Sequence, residues 1–396
     1  MPHFLASHIT LPPMPFTQEG YTFVYEAKQC NDSSQSLILV RYEDNEFFLR
    51  KAWRGNKNNA ILKCEKSTKT QPTGIIKNAL KILCAYQKNV ISHNLNKNTP
   101  RQNLQSPYFQ SMDFFLDFAK PCLIEIGFGS GRHLLHLAQS NPHFMCIGIE
   151  IHTPSIEQIL RQVQLLGLEN LYIINGDARI LLEILSSHIA QGIYVHFPVP
   201  WNKKHHRRIF SPKFFQESLR VLDNNGVLHL RSDDEIYFQD ALSLALQQES
   251  ISLEIHKNQQ EVITSKYEAR WKKQQKNIYD LKIFHTYKNT NNEKNVKNTQ
   301  KNFYFDKILR KNLDNYKNFP HKKIANDWFL HIDNLYCAGD IYVLALCFGD
   351  FNQPQSKFLQ IEFCNNVSAR YIGSNPIPTQ AAIKAHKYLI QILTQE

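Results

Sequence analysis

The hydrophobic residues between about residues 114 and 287 form short apolar runs that alternate with amphipathic segments. The run from Leu123 to Ile126 is typical of a strand buried on both faces. Residues 132–140 then place apolar side chains on one face at helical spacing, and an Asn-Pro pair ends this helix before a second apolar run at 144–149. The continuing alternation predicts an α/β fold with a mostly parallel sheet of seven strands, covered by helices on both faces.

The two ends of the chain have different patterns. Residues 4–53 are predicted to be β-rich, and residues 51–101 form a cationic connector that is either a solvated tether or an arm that touches RNA. After the core, an Asn- and Lys-rich stretch without periodicity indicates a linker, and the runs that follow it predict a small α+β module. We therefore predict an N-terminal extension (1–110), a core domain (111–288) and a linker with a C-terminal module (289–396).

A glycine turn with the spacing G-x-G-x-G follows the first core strand and contains Gly127, Gly129 and Gly131. Glycines let the backbone approach a ligand closely, and an acidic residue about 20 residues later, here Glu150, suits the hydroxyls of a ribose. Glu125 stands just before the turn, where it would repel a diphosphate but suits the cationic amino-acid end of S-adenosylmethionine. The alternative is a glycine-rich turn in another kind of α/β domain.

The third core strand ends in Asp177 and Ala178. An acidic residue at this strand end lies where the carboxyl edge of a parallel sheet meets its ligand, so Asp177 is a candidate for binding an adenine amino group. The alternative role for Asp177 is the N-cap of the helix that follows.

The segment after the fourth strand is both aromatic and cationic. Its candidate residues for binding a nucleic acid are Pro200, Trp201, Lys203, Lys204, Arg207 and Arg208. A tryptophan beside several fixed positive charges is typical of sites that stack on a base and bind its phosphates, although a solvated basic turn is the alternative. No Cys or carboxylate accompanies the paired histidines 205 and 206 at ligand spacing, and we predict no metal site.

Composition adds three expectations. The 396 residues carry a formal net charge of +11, which favours a polyanionic partner or reflects a compositional bias. The 8 cysteines form no C-x-x-C pair, so we expect buried thiols in a reducing compartment, with no disulfides and no zinc. The chain shows neither a signal peptide nor an apolar run long enough to cross a bilayer, which predicts a cytoplasmic protein without a membrane partner.

These motifs together resemble the bacterial tRNA (guanine-N7)-methyltransferases in their single-chain form. The resemblance covers about residues 115–285, and the terminal regions lie outside it. It rests on the segments EIGFGSG (125–131), GIEIH (148–152), GDA (176–178), FPVPWNKKHHRR (197–208), SD (232–233), SKYE (265–268) and YDL (279–281).

The resemblance implies a Rossmann-like methyltransferase that transfers a methyl group from S-adenosylmethionine to N7 of a guanosine in the tRNA variable loop. The cofactor side would comprise Glu125, Gly127, Gly129, Gly131, Glu150, Asp177 and Ala178. The tRNA side would comprise the six candidates of the basic segment together with Asp233, Ser265, Lys266, Tyr267 and Glu268. Asp233 and Glu268 are the candidate catalytic residues.

The chain departs from the family pattern at three places. Val199 stands where the family usually has an Asp that is regarded as catalytic. The basic segment is about two residues shorter than usual, and Ser265 stands where Thr is common. These departures leave open which carboxylate replaces the missing Asp.

Val199 motivates one competing hypothesis, a tRNA-binding protein that retains the methyltransferase fold with weakened catalysis. A nicotinamide-dependent oxidoreductase is a second, which the G-x-G-x-G spacing and the Trp-bearing basic segment disfavour. We expect a monomer.

Overall fold

The computed structural model describes residues 1–31, 34–54, 59–68, 70, 73–96, 106–204, 207–260, 276–285, 303–305, 307–315, 320–364 and 366–395. The chain divides into two compact units. Residues 103–299 form one, which we call the core unit, and residues 1–102 with 300–396 form the other, which we call the terminal unit.

The first segment of the terminal unit is mainly β-structure. Its described elements are β1 (His3–Ala6), β2 (Phe16–Gln18), β3 (Tyr21–Gln29), β4 (Gln35–Tyr42), β5 (Asn45–Arg54), β6 (Asn59–Cys64), α1 (Thr73–Ala85) and β7 (Val90–His93). The predicted β-rich N-terminal region is confirmed.

Strands and helices alternate in the core unit. Its described elements are β8 (Phe109–Gln110), a 3-10 helix (Met112–Asp117), β9 (Cys122–Ile126), α2 (Arg132–Ser140), β10 (Met145–Glu150), α3 (Thr153–Leu166), β11 (Leu171–Asn175), α4 (Ala178–Ile184), β12 (Ala190–His196), α5 (Pro212–Val221), β13 (Leu222–Ser232), α6 (Glu235–Ala245), β14 (Ile251–Lys257) and β15 (Tyr279–His285).

The second segment of the terminal unit combines strands with a long closing helix. Its described elements are α7 (Arg310–Asp314), β16 (Lys322–Ile324), β17 (Phe329–Ala338), β18 (Ile341–Gly349), β19 (Pro354–Phe363), β20 (Val367–Tyr371) and α8 (Gln380–Thr394). Among the described helices of the whole chain, none combines the length and apolar character needed to span a bilayer.

The core sheet confirms the predicted α/β fold. Its strand order is β14-β15-β13-β12-β9-β10-β11-β8, and the strands from β13 to β8 run parallel. The sheet has eight described strands, whereas the sequence predicted seven. The additional strand, β8, has only two residues, which is too short to be predicted from a hydrophobic pattern. Strand β9 has β10 on one side and β12 on the other, so the chain adds β10 and β11 on one side of β9 and then crosses back to add β12 on the other. Such a switch point opens a crevice at the carboxyl ends of the strands, where ligands of α/β proteins bind.

Local chemistry fixes where the core helices begin. Gly131 precedes α2 at φ +74°, and a Cβ atom there would lie 2.4 Å from Ile159 Cδ1 on α3, so this position requires glycine. The side chains of Asp177, Ser211 and Asp234 accept backbone N–H bonds at the starts of α4, α5 and α6.

The terminal unit is built around one 12-stranded sheet to which both chain segments contribute. Its strand order is β20-β19-β18-β17-β3-β4-β5-β6-β1-β7, with β16 beside β17 and β2 beside β3. Tyr25, Leu39 and Phe48 from the first segment share a buried cluster with Tyr336 and Phe358 from the second. The structure therefore joins the predicted N-terminal extension and C-terminal module into one unit, a pairing that local periodicity cannot reveal.

The expectation of no disulfides is wrong, because Cys30 and Cys337 form one within the terminal unit. They lie 307 residues apart in sequence, but pairing of β3 with β17 brings their Cα atoms to 6.1 Å, within the range that a disulfide spans. Cysteine spacing alone gave no sign of this pair.

Candidate active site

The glycine turn after β9 is held by the carboxylate at the end of β10. The Gly129 N–H donates to Glu150 Oε2 at 3.1 Å, while Glu150 Oε1 accepts from the N–H groups of Ile151 and His152 at 2.8 and 3.0 Å. Gly127 is exposed at φ +70°, and a Cβ atom there would meet nothing within 4 Å. The turn thus presents open backbone beside a fixed carboxylate.

Glu125 lies in the middle of β9 and is buried. Its Oε2 lies 3.1 Å from His133 Nδ1 on the first turn of α2. His133 is thus the partner of a buried carboxylate. The buried carboxyl group therefore has an internal polar partner, which offsets part of the cost of its burial.

Asp177 caps α4, the alternative role that the sequence left open. Its Oδ1 accepts from the Arg179 N–H at 2.9 Å, and its Oδ2 forms an ion pair with Arg179 Nη2 at 3.0 Å. The carboxylate is still partly exposed at the end of β11. Ala178 is buried as the first residue of α4, so only its backbone is available to a ligand.

Arg208 differs from its predicted place on the nucleic-acid side, because it is 4% exposed. Its guanidinium donates to the Pro200 carbonyl at 2.6 Å and to Asn202 Oδ1 at 3.0 Å, and it also pairs with Asp240 on α6. The guanidinium lies 5.0 Å from the centre of the Tyr237 ring. Arg208 therefore links the two ends of the basic segment to each other and to α6. The prediction that it contacts the nucleic acid is wrong, because its guanidinium group is already bonded to partners within the protein.

The other described cations of the basic segment face solvent. Lys203, Lys204 and Arg207 are exposed, and Trp201 is 38% exposed. The Arg207 guanidinium lies 5.1 Å from the centre of the Trp201 ring, which aligns a positive charge with a flat aromatic surface. Val199 is also exposed, at 61%. Histidines 205 and 206 lie outside the described residues.

Asp233 follows β13 and pairs with Lys276 Nζ at 2.9 Å. The cap of the following helix is Asp234, whose Oδ1 accepts from the Tyr237 N–H at 2.8 Å. Asp233 is thus available for another role. The predicted residues Ser265, Lys266, Tyr267 and Glu268 lie outside the described part of the chain.

The sequence did not predict a chain of polar side chains on neighbouring strands of the core sheet, in which His229, Arg231 and Asp280 are buried and His196 is half-buried. His196 Nε2 lies 3.4 Å from His229 Nδ1, His229 Nε2 lies 3.0 Å from Asp280 Oδ1, and Arg231 Nη1 pairs with Asp280 at 2.7 Å. Burial, together with His133, His229 and Arg231 nearby, lowers the pKa of His196 well below its usual value. The sequence offered two signs of this chain of side chains, the alternating polar residues His229 and Arg231 on β13 and the Asp of the YDL segment on β15.

The topology gathers most of the described candidates at one edge of the sheet. The glycine turn, Glu150 and Asp177 follow β9, β10 and β11, whereas the basic segment and Asp233 follow β12 and β13 on the other side of the switch point. One half of the edge therefore offers carboxylates and open backbone suited to a nucleoside, and the other offers cations and an aromatic ring suited to a nucleic acid.

Comparisons with known proteins show which family this chain resembles. Residues 119–281 match a family model described as "Putative methyltransferase". The chain is 42% identical to the tRNA (guanine-N(7)-)-methyltransferase of Wolinella succinogenes, over 100% of both chains. It is 40% identical to the enzyme of that name from Helicobacter pylori strain 26695 (100% of this chain, 99% of the relative) and 34% identical to that from Campylobacter jejuni strain 81-176 (99% and 98%). The similarity thus extends over both units.

Proposed function

Since the chain belongs to the tRNA (guanine-N(7)-)-methyltransferase family, we propose that its core edge binds a tRNA variable loop and directs methylation to N7 of one guanosine there. The observation that carries this proposal is the placement of the glycine turn and Glu150 on one side of the β9 switch point, with the basic segment on the other. The site of action would be the cytoplasm, where tRNA is found, and the protein would act as a monomer.

The residues of the first half fit S-adenosylmethionine, the methyl donor of this enzyme class. The open space at Gly127 allows a ligand to lie against the turn. Glu150 accepts three backbone N–H bonds, and a carboxylate offers about four acceptor positions, so it retains capacity for a ribose hydroxyl. Asp177, partly exposed at the next strand end, would accept from the adenine amino group.

The acceptor atom determines what the protein has to do. S-adenosylmethionine supplies a methyl group bonded to a positively charged sulfur. Guanine N7 carries a lone pair and no proton, so no residue has to act as a general base. The residues of this chain would therefore bind and orient the base, a contribution that can lower a barrier by several kcal/mol. Val199, which cannot accept a proton, is compatible with that task.

Asp233 would supply the negative charge that favours transfer. The purine gains positive charge as N7 is methylated, and a fixed carboxylate nearby stabilises that charge. Asp233 is held by Lys276 at the substrate half of the edge, and it does not serve as the helix cap. Glu268 is the second carboxylate that we propose for this role, and Ser265, Lys266 and Tyr267 would contact the tRNA beside it.

The basic segment would bind the tRNA backbone and a base. Lys203, Lys204 and Arg207 are exposed and would contact phosphates, while Trp201 offers a stacking surface. Pro200 and Arg208 would act indirectly, because the bond between them fixes the shape of the segment.

The proposal is tested by locating the product in tRNA. Purified protein is incubated with unmodified tRNA and S-adenosylmethionine, and the RNA is cut into fragments by a guanosine-specific ribonuclease for mass spectrometry. We expect a single added methyl group on one variable-loop fragment, identified as 7-methylguanosine. Methylation confined to another region of the tRNA would contradict the proposed target.

A further inference from the structure

Three side chains with metal-binding chemistry converge in the core unit. They come from three elements: Glu125 from the middle of β9, His133 from the first turn of α2 and His196 from the end of β12. One ligand atom of each lies within 4.8 Å of those of the other two. Glu125 is 3% exposed, and the His133 and His196 ring centres lie 4.4 Å apart. The cluster is therefore assembled on strands and a helix, where ligand positions are well defined.

We propose that Glu125, His133 and His196 bind one divalent transition-metal ion, with Zn²⁺ as the best match. Two imidazoles and a carboxylate suit Zn²⁺ and similar ions, whereas Mg²⁺ and Ca²⁺ prefer sets of oxygen ligands. Bonds of about 2.0–2.2 Å to a tetrahedral Zn²⁺ place neighbouring ligand atoms roughly 3.3 Å apart. The 3.1 Å between His133 Nδ1 and Glu125 Oε2 is close to that spacing.

The buried chain behind His196 prepares it as a ligand. A neutral His229 that donates from Nε2 to Asp280 presents an unprotonated Nδ1 to His196 Nε2. In that arrangement His196 donates from Nε2, and its lone pair is on Nδ1. A histidine whose second nitrogen donates to a fixed internal partner is the usual arrangement around protein-bound metals. Asp280 is itself fixed by Arg231.

Metal binding would also affect the cofactor. This consequence rests on the proposed function, in which Glu125 lies at the cationic end of S-adenosylmethionine. A metal ion held by Glu125 would neutralise the negative charge that attracts that end and would replace the hydrogen bond from His133. The ion and the cofactor therefore compete for the same carboxylate, and the site would make the enzyme sensitive to Zn²⁺.

Isothermal titration of the full-length protein with ZnCl₂ tests the site without any activity measurement. The variants are His133→Gln, His196→Ala and, as a control on the same helix, His136→Ala. The wild type and His136→Ala should show one saturable high-affinity site, whereas His133→Gln and His196→Ala should weaken it at least 100-fold. His133→Gln replaces a partly exposed residue, so it keeps the test valid if His196→Ala fails to fold.

The outcomes separate the site from the proposed function. Loss of the high-affinity site in His133→Gln supports the metal site, and equal Zn²⁺ affinity in wild type and His133→Gln overturns it. A second titration with S-adenosylmethionine in the presence of saturating Zn²⁺ should show at least tenfold weaker cofactor binding. Unchanged cofactor affinity alongside an intact metal site overturns the competition alone.

Discussion

The Gly129 N–H donates to Glu150 Oε2 across 3.1 Å, so the carboxylate at the end of β10 sets the shape of the turn that follows β9. This single contact joins the two sequence features from which the nucleoside site was predicted. Glu150 therefore fixes the backbone of the turn, in addition to the ribose contact that we propose for it.

Replacing Glu150 with Ala should therefore weaken S-adenosylmethionine binding roughly 10- to 150-fold, since hydrogen bonds to a charged group contribute about 1.5–3 kcal/mol. Isothermal titration calorimetry measures the change. Glu169→Ala, which removes an exposed carboxylate from the loop after α3, is the control and should bind normally. Unchanged affinity in Glu150→Ala would remove Glu150 from the cofactor site.

Neutralising the exposed cations of the basic segment should weaken tRNA binding and reduce its salt dependence. The test uses a Lys203→Ala, Lys204→Ala and Arg207→Ala triple variant. Each lost phosphate contact should make the plot of log affinity against log salt shallower by roughly 0.7–0.9. Cofactor affinity should stay the same. Lys120→Ala, at the opposite edge of the sheet before β9, is the control. A triple variant with the wild-type slope would show that the segment is a solvated turn.

Arg208 should behave differently from its neighbours because it is buried and bonded to Pro200, Asn202 and Asp240. Arg208→Ala should lower the free energy of unfolding of the core unit by about 1.5–3 kcal/mol, the range for hydrogen bonds to a charged group. Arg207→Ala should change it by less than about 0.5 kcal/mol, as for exposed positions. Denaturant unfolding compares the two, and equal small effects would mean that Arg208 is not an anchor.

The terminal unit should lose stability in mild acid through His386. This histidine is buried between the Tyr371 hydroxyl at 3.0 Å and the Tyr304 carbonyl at 3.1 Å, and burial lowers its pKa to about 4. The unfolded chain takes up the proton near pH 6.5 and the folded chain only near 4, so the stabilisation is complete above pH 6.5 and is lost as pH falls towards 4. The slope is about 1.4 kcal/mol per pH unit within that window.

Unfolding experiments across this window compare wild type with His386→Gln, which should lose that part of the slope. His331→Ala, which removes a half-exposed histidine on β17, is the matched control and should keep it. An identical pH dependence in wild type and His386→Gln would show that His386 does not remain neutral in the folded protein.

Local patterns were sufficient for much of the core. The predicted helix at 132–140 is α2, and the run at 144–149 is β10 within one residue, because burial of one helix face or one strand leaves a periodic signal. The pairing of the glycine turn with Glu150 could be predicted for a similar reason, since the turn after one strand and the acidic residue at the end of the next form a recurring local pattern in nucleotide-binding α/β domains.

Features that depend on distant pairing were not predictable. Cys30, directly after β3, and Cys337, on β17, meet only because the two ends of the chain form one sheet. For the same reason, deleting either end alone would remove part of a shared core. Arg208 was misplaced because a charged residue in a basic run has the same pattern whether it is exposed or bonded internally. The contacts of His196 could not be predicted either, because its partner His229 lies on another strand.

The most direct test of the account is the yield of 7-methylguanosine from tRNA with the wild type, Val199→Asp and Asp233→Asn, measured by nucleoside mass spectrometry. If orientation of the guanine base and the carboxylate of Asp233 are sufficient for methyl transfer, the wild type is active. The yield of Val199→Asp then stays within the same order of magnitude as that of the wild type. Asp233→Asn should then fall at least tenfold, about 1.4 kcal/mol in barrier height. If the wild type binds tRNA without methylating it, and Val199→Asp is active, the proposed role of Asp233 is contradicted.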